Sequence, residues 1–253
     1  MPKCKFTIQY YDYETHHKEV DFNCTEEEPL ASGFCIFHDK DYLLQDKTNY
    51  EENKRKVLDR LKHKVNYAIS NNEPLLCIGF HLPDFSLSDL SSSREFTKPV
   101  YSSGSYLFGE VNFVGARFQG AANFREANFQ GEASFSGTDF DGSSTTFSNS
   151  EFYGKTRFSA HFNGKTTFNY VLFEGKEKVI FNTENLSNVS FMNTDITGIR
   201  FGDKARWRRG KKVKEDRFKV VDERLLQEKI NKEKGVHTKD FNLGSIKAVY
   251  RSL

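Results

Sequence analysis

Residues 111–140 contain Val111-Asn112-Phe113, Ala116-Arg117-Phe118, Ala122-Asn123-Phe124, Ala127-Asn128-Phe129, Ala133-Ser134-Phe135 and Thr138-Asp139-Phe140, joined by short polar connectors. One rule runs through them: a small residue, any residue, then Phe, at a step of about five. The rule carries on through Phe147, Phe152, Phe158, Phe168, Phe173, Phe181, Leu186, Phe191, Ile196 and Phe201. A period of five fits neither helix nor strand. On a helix it would wind the Phe residues around the whole surface. On a strand the fifth residue on points to the opposite face. A short self-similar period marks a solenoid. If each unit forms one side of a square coil, every Phe and the small residue two places before it point inward. Four units then make a turn of roughly 20 residues, and turns stack at about the interstrand spacing of ~4.8 Å.

These residues resemble the pentapeptide-repeat proteins, in the version with Phe rather than Leu at the central position. The resemblance implies a mainly β fold, a right-handed quadrilateral β-helix. Steps of six or seven residues separate Phe118 from Phe124, Phe129 from Phe135, Phe140 from Phe147 and Phe152 from Phe158. The extra residues read as corner bulges. Between Phe158 and Phe168 the expected inward position is Asn163, so one side is degraded there or Phe162 takes its place.

A hydrophobic content of 37% and a mean hydropathy of −0.67 are low for 253 residues, but a solenoid buries only two residues in five, and 25 Phe supply its core. The net charge of +2 gives the whole chain no strong electrostatic character. No run of eighteen apolar residues is present, and Met1-Pro2-Lys3-Cys4-Lys5 lacks the apolar region of a signal peptide. Four cysteines in this setting do not make a disulfide framework. The expected location is a reducing cytoplasm, with peripheral membrane association as a variant.

The chain divides into a small Cys/His module at 1–47, an amphipathic capping helix at 48–74, the β-helix at 75–203 and a basic helical extension at 204–253. In the module, Lys5 to Tyr13 and Lys18 to Phe22 alternate as a hairpin should. Cys35-Ile36-Phe37-His38 places a thiol and an imidazole on one tight turn, where both can reach one ion. Cys4 and Cys24 would complete a tetrahedral Cys₃His site, which suits structural zinc. So short a segment lacks the apolar content for its own core, and a metal would supply the missing stability. The competing reading is three buried free thiols beside an exposed His38, with His16 and His17 as rival ligands or solvated loop residues. The arrangement also resembles the short Cys…Cys…Cys-x-x-His knuckle at the N-terminus of some pentapeptide-repeat proteins, although the Cys4 to Cys24 gap is wider than its compact spacing.

Thr48-Asn49-Tyr50-Glu51 reads as a capping box opening a helix over 48–70. Val57, Leu58, Leu61, Val65, Ala68 and Ile69 form its apolar stripe, and Asn71 and Asn72 stop it. The opposite face carries Lys54, Arg55, Lys56, Arg60, Lys62 and Lys64, either as a solvated surface or for an anionic partner. The helix is the natural cover for the unpaired first coil. In the lead-in to the solenoid, Phe80, Phe85 and Leu90 keep the five-residue step, Phe96 and Tyr101 follow, and Cys77 is expected to face inward.

From 108 to 201, ten acidic residues stand against eight basic ones. Some pentapeptide-repeat proteins imitate DNA, which needs a strongly negative surface, so near-neutrality disfavours that reading. Beyond Phe201 lies a basic cluster with one aromatic: Lys204, Arg206, Trp207, Arg208, Arg209, Lys211 and Lys212. Residues 204–219 are candidates for contact with an anionic membrane surface, with nucleic acid less favoured and a solvated connector as the plain alternative. Val213 to Asn231 reads as a charged helix able to cap the far end of the solenoid, and Leu243 to Leu253 begins another. Chains resembling this one sometimes continue after such a segment into membrane-spanning helices, which makes a longer natural protein an expectation.

Catalytic signatures are missing. Gly115, Gly120 and Gly131 are repeat-spaced corners rather than a phosphate loop; His81 and Asp84 read as turn formers and His161 as a solvated residue. The expectation is a non-enzymatic scaffold or protein-interaction module. The alternatives are the cytosolic part of a membrane-associated assembly and, disfavoured, a nucleic-acid binder or DNA mimic.

Overall fold

The computed structural model describes residues 2–12, 18–26, 29–44, 49–183 and 186–201. His16, His17, Thr48, the basic cluster at 204–212 and both expected C-terminal helices lie outside the described residues.

Strands β1 (Thr7–Asp12) and β2 (Lys18–Asn23) form the expected antiparallel hairpin. A short helix α1 (Lys40–Leu44) follows, then α2 (Tyr50–Asn71). The start of α2 differs from the capping-box expectation: Asn49 is the N-cap, and it makes no side-chain cap bond. Its end is as read, with Asn72 at φ 55° and its N–H on the carbonyls of Ala68 and Ile69.

The rest is a parallel β-solenoid of about six turns with four walls. The first wall stacks Leu75–Leu76, Val100–Tyr101, Ala122–Asn123, Ser144–Thr146, Lys165–Thr167 and Val189–Ser190. The second stacks His81–Leu82, Tyr106–Leu107, Asn128–Phe129, Glu151–Phe152 and Leu172–Phe173. The third runs from Phe85–Ser86 through Val111–Asn112, Ala133–Ser134, Thr156–Phe158 and Val179–Phe181 to Arg200–Phe201. The fourth holds Glu95–Phe96, Arg117–Phe118, Asp139–Phe140 and His161–Phe162.

Inside, the Phe residues form four columns. Rings are near-parallel within a column and edge-on between columns. In the third-wall column Phe113, Phe135 and Phe158 follow at 5.1 and 5.0 Å between centroids. In the fourth, Phe96, Phe118, Phe140 and Phe162 follow at 5.3, 5.2 and 5.4 Å. Such separations exceed flat contact, so the rings are offset, as their quadrupoles prefer. Phe162 pairs in register with Phe140 and is buried, while Asn163 is exposed, which settles the irregular side in favour of Phe162.

The lengthened steps that follow the fourth wall are corner bulges. Asp141 N–H and Gly142 N–H both donate to Phe118 O, and Asn163 N–H and Gly164 N–H both donate to Phe140 O. The extra residue is Gly for a contact reason: a Cβ on Gly142 would lie 2.1 Å from Gly120 O in the neighbouring coil.

The first coil departs from the expected register. Leu82 pairs with Leu107, and Phe85 with Val111, so Phe85 holds a small-residue position and Leu87 the central one. Tyr101 points out of the barrel, where Asp12 Oδ1 accepts its hydroxyl at 2.9 Å and Tyr10 meets its ring at 5.2 Å. Ser102 and Cys77 line the interior where later coils place Phe, leaving a cavity of about 40 Å³. Helix α2 closes this end: Val57, Leu61, Val65 and Ala68 join the solenoid interior in one continuous core.

Candidate metal centre

The hairpin solves the wide Cys4 to Cys24 gap. Thr7 pairs with Asn23, so Cys4, just before β1, and Cys24, just after β2, meet at the hairpin's open end. Cys4 N–H donates to Glu26 O at 3.1 Å and Cys24 N–H to Phe6 O at 3.0 Å, fixing both. The third and fourth groups come from one turn, in which His38 N–H and Asp39 N–H both donate to Cys35 O at 3.0 Å. Cys35 N–H donates to Cys4 Sγ at 3.2 Å and ties the turn to the hairpin.

Cys24 Sγ lies 3.9 Å from Cys35 Sγ; His38 Nδ1 lies 3.2 Å from Cys35 Sγ and 3.6 Å from Cys4 Sγ. All four donor atoms fall within 4.8 Å of one another. A tetrahedral zinc with Zn–S of about 2.3 Å and Zn–N of about 2.0 Å sets sulphurs ~3.8 Å apart and sulphur and nitrogen ~3.5 Å apart. The cluster is already near that shape. The four residues are 7%, 5%, 0% and 5% exposed in chain order, so the reading with an exposed His38 does not hold.

The second ring nitrogen assigns the tautomer. His38 Nε2 is 2.9 Å from Ile78 O, an acceptor only, so Nε2 is the donor there and Nδ1 is the nitrogen turned to the sulphurs. A backbone carbonyl on the far nitrogen is the usual way to orient a ligating imidazole. Cys35 is held well below the ordinary thiol range, first by the hydrogen bond from Cys24 and then by the His38 imidazole. Cys24, the donor of that bond, is pushed up. A cation here would draw all three thiols toward the thiolate.

The centre is also a hinge pin between module and solenoid. Phe6 stacks on His38 at 3.8 Å, and Phe37 stacks on Phe80 of the first coil at 4.2 Å. His81 N–H donates to Phe37 O at 2.7 Å. Gly79, at φ 67°, has no room for a Cβ, which would sit 2.2 Å from Phe6 Cζ.

The other candidate residues fall elsewhere. The basic face of α2 is largely answered by acids: Lys54 by Asp84 at 2.7 Å, Lys56 by Glu52 at 2.6 Å, Lys64 by Glu26 at 2.5 Å. His81 lies half-buried against Tyr106 and Phe108. His161 pairs with Asp139 at 2.6 Å on the exposed fourth wall. Cys77 is buried in the core, where loss of hydration pushes its thiol up to about 12. The sequence offered no sign of the carbonyl of Ile78 as a partner of His38, because a main-chain acceptor leaves no mark in residue identity.

A family model described as pentapeptide repeats (9 copies) matches residues 113–160, the stretch that forms the middle coils of the solenoid. No curated protein and no solved structure matches the chain.

Proposed function

We propose that the chain is a non-enzymatic pentapeptide-repeat scaffold whose N-terminal end is clamped by a structural zinc ion on Cys4, Cys24, Cys35 and His38. The observation that carries the zinc reading is the buried set of four protein donors already near tetrahedral spacing. Three thiols and an imidazole suit zinc, and four protein ligands leave no open position, which is the mark of a structural rather than a catalytic site. The ion would hold the hairpin end and the Cys35–His38 turn together and, through His38 and Ile78, onto the first coil. Three reduced thiols suit a reducing compartment, so we place the chain in the cytoplasm.

As a scaffold the molecule works through shape. Its interior is filled with Phe, and its walls carry polar ladders such as Arg117–Asp141 and Asn163–Asp141. A rod of this kind presents rigid flat surfaces to protein partners. The test of the clamp is metal content of the purified chain by plasma mass spectrometry. One zinc per wild-type chain, lost in Cys35→Ser with a lowered Tm, is the expected result. A metal-free wild type that stays folded and gains no stability on adding zinc would overturn the clamp.

A further inference from the structure

The third wall changes sign along its length. At the corner leading into it, Glu110, Glu132, Lys155 and Lys178 stack in successive coils, each immediately before the paired residues Val111, Ala133, Thr156 and Val179. On the wall itself the outward column runs Asn112, Ser134, Arg157, Ile180 and Arg200. The coils nearer α2 carry the acids and the later coils carry the cations.

Lys155, Arg157, Lys178 and Arg200 are all exposed. Lys155 reaches Glu132 only at 4.0 Å, and among the described residues Arg157, Lys178 and Arg200 form no ion pair. Lys155 and Lys178 occupy neighbouring rungs about 4.8 Å apart, and like charges facing across a ladder are destabilising. The basic run of α2 differs, since acids answer most of it. A cluster of cations of which, among the described residues, only Lys155 meets an acid, on a nearly neutral solenoid, suits an anionic surface from outside.

We propose that the later coils of the third wall form a docking surface for a membrane face rich in anionic phospholipid. The cations lie in two columns across a flat parallel sheet instead of converging on a pocket. A plane of headgroup phosphates can meet all of them together. A nucleic-acid duplex is a cylinder and touches a flat wall along a single line. This inference goes beyond the scaffold reading and does not depend on zinc.

The test is sedimentation of the full chain with vesicles of phosphatidylcholine alone and of phosphatidylcholine with phosphatidylserine, at ~0.15 M salt, where surface charges still act over about 8 Å. Wild type should sediment with the anionic vesicles only. In Arg157→Gln/Lys178→Gln/Arg200→Gln, each lost cation should weaken partitioning about fivefold, or about 100-fold together. A control variant, Arg55→Gln/Lys62→Gln, should stay within about threefold of wild type, because α2 lies at the other end of the wall. All three substitutions are on the surface, and an unchanged Tm will show that the variant is folded. The inference is overturned if wild type ignores anionic vesicles, or if the triple variant partitions as well as wild type. It is equally overturned if duplex DNA is bound while vesicles are not.

Discussion

Replacing Phe135 by Ala tests whether the Phe columns hold the coils together. Phe135 is fully buried in the middle of the third-wall column. It stacks on Phe113 at 5.1 Å and Phe158 at 5.0 Å, and meets Phe147 at 5.4 Å and Phe124 at 6.0 Å edge-on. Phe→Ala in a core costs about 3–5 kcal/mol, the upper end applying where the site cannot collapse. Here collapse is resisted, because the backbone ladder holds the coils apart: Phe113 N–H donates to Ser134 O and Phe135 N–H to Arg157 O, at 2.8 and 2.9 Å. The expected loss is therefore about 5 kcal/mol, or roughly 10–20 °C in Tm for a chain of this size. Phe135→Leu retains most of the volume and loses the ring contacts, so about 1.5 kcal/mol is expected. Phe201→Ala, at a half-buried position on the last described rung, should cost about 1 kcal/mol. Thermal unfolding by calorimetry, with zinc in excess, measures all three. Equal losses for Phe135→Ala and Phe201→Ala, or a loss under ~1 kcal/mol for the former, would refute the reasoning.

Three further outcomes follow from the same packing. Gly142→Ala drives a Cβ into Gly120 O and should cost about 3 kcal/mol by urea unfolding, against about 1 kcal/mol for Gly137→Ala, where φ is 64° but the nearest atom is 3.9 Å away. Val65→Asp puts a charge on the buried face of α2 and should cost more than ~4 kcal/mol while unsealing the first coil, so size-exclusion chromatography should show higher oligomers. Burial lowers the pKa of His81, so the unfolded chain takes up a proton there first as pH falls. Stability from this group is present above the unfolded value of about 6.5 and declines as pH drops through it toward the lower folded value. His81→Gln should therefore flatten the fall in Tm between neutral and mildly acidic pH, and an unchanged slope would show that His81 contributes nothing to it.

The five-residue period was enough to read the four-sided coil, because burial of one Phe per side is a strictly local rule. The register of the first coil was not readable that way. Phe80 and Phe85 hold positions that later coils give to small residues, and only their pairing with strands one turn on reveals it. The choice between Phe162 and Asn163 likewise rested on the next coil, through Phe140. For the candidate metal centre, Cys35 and His38 stand close in sequence and their union was legible. Cys4 and Cys24 flank the alternating segments read as a hairpin, so their approach was legible through that pairing, while its register, Thr7 opposite Asn23, was not. The basic face of α2 looked open to partners in sequence, yet Asp84 and Glu26, remote in the chain, neutralise much of it. The capping box differed from its reading as well: Asn49 begins α2 without using its side chain as a cap.

The most direct measurement is zinc-edge X-ray absorption on the purified chain. The zinc clamp predicts three sulphur scatterers at about 2.3 Å and one nitrogen at about 2.0 Å, with Cys35→Ser losing a sulphur or the metal. A shell of oxygen and nitrogen only, or a folded chain that holds no zinc when zinc is supplied, would contradict it.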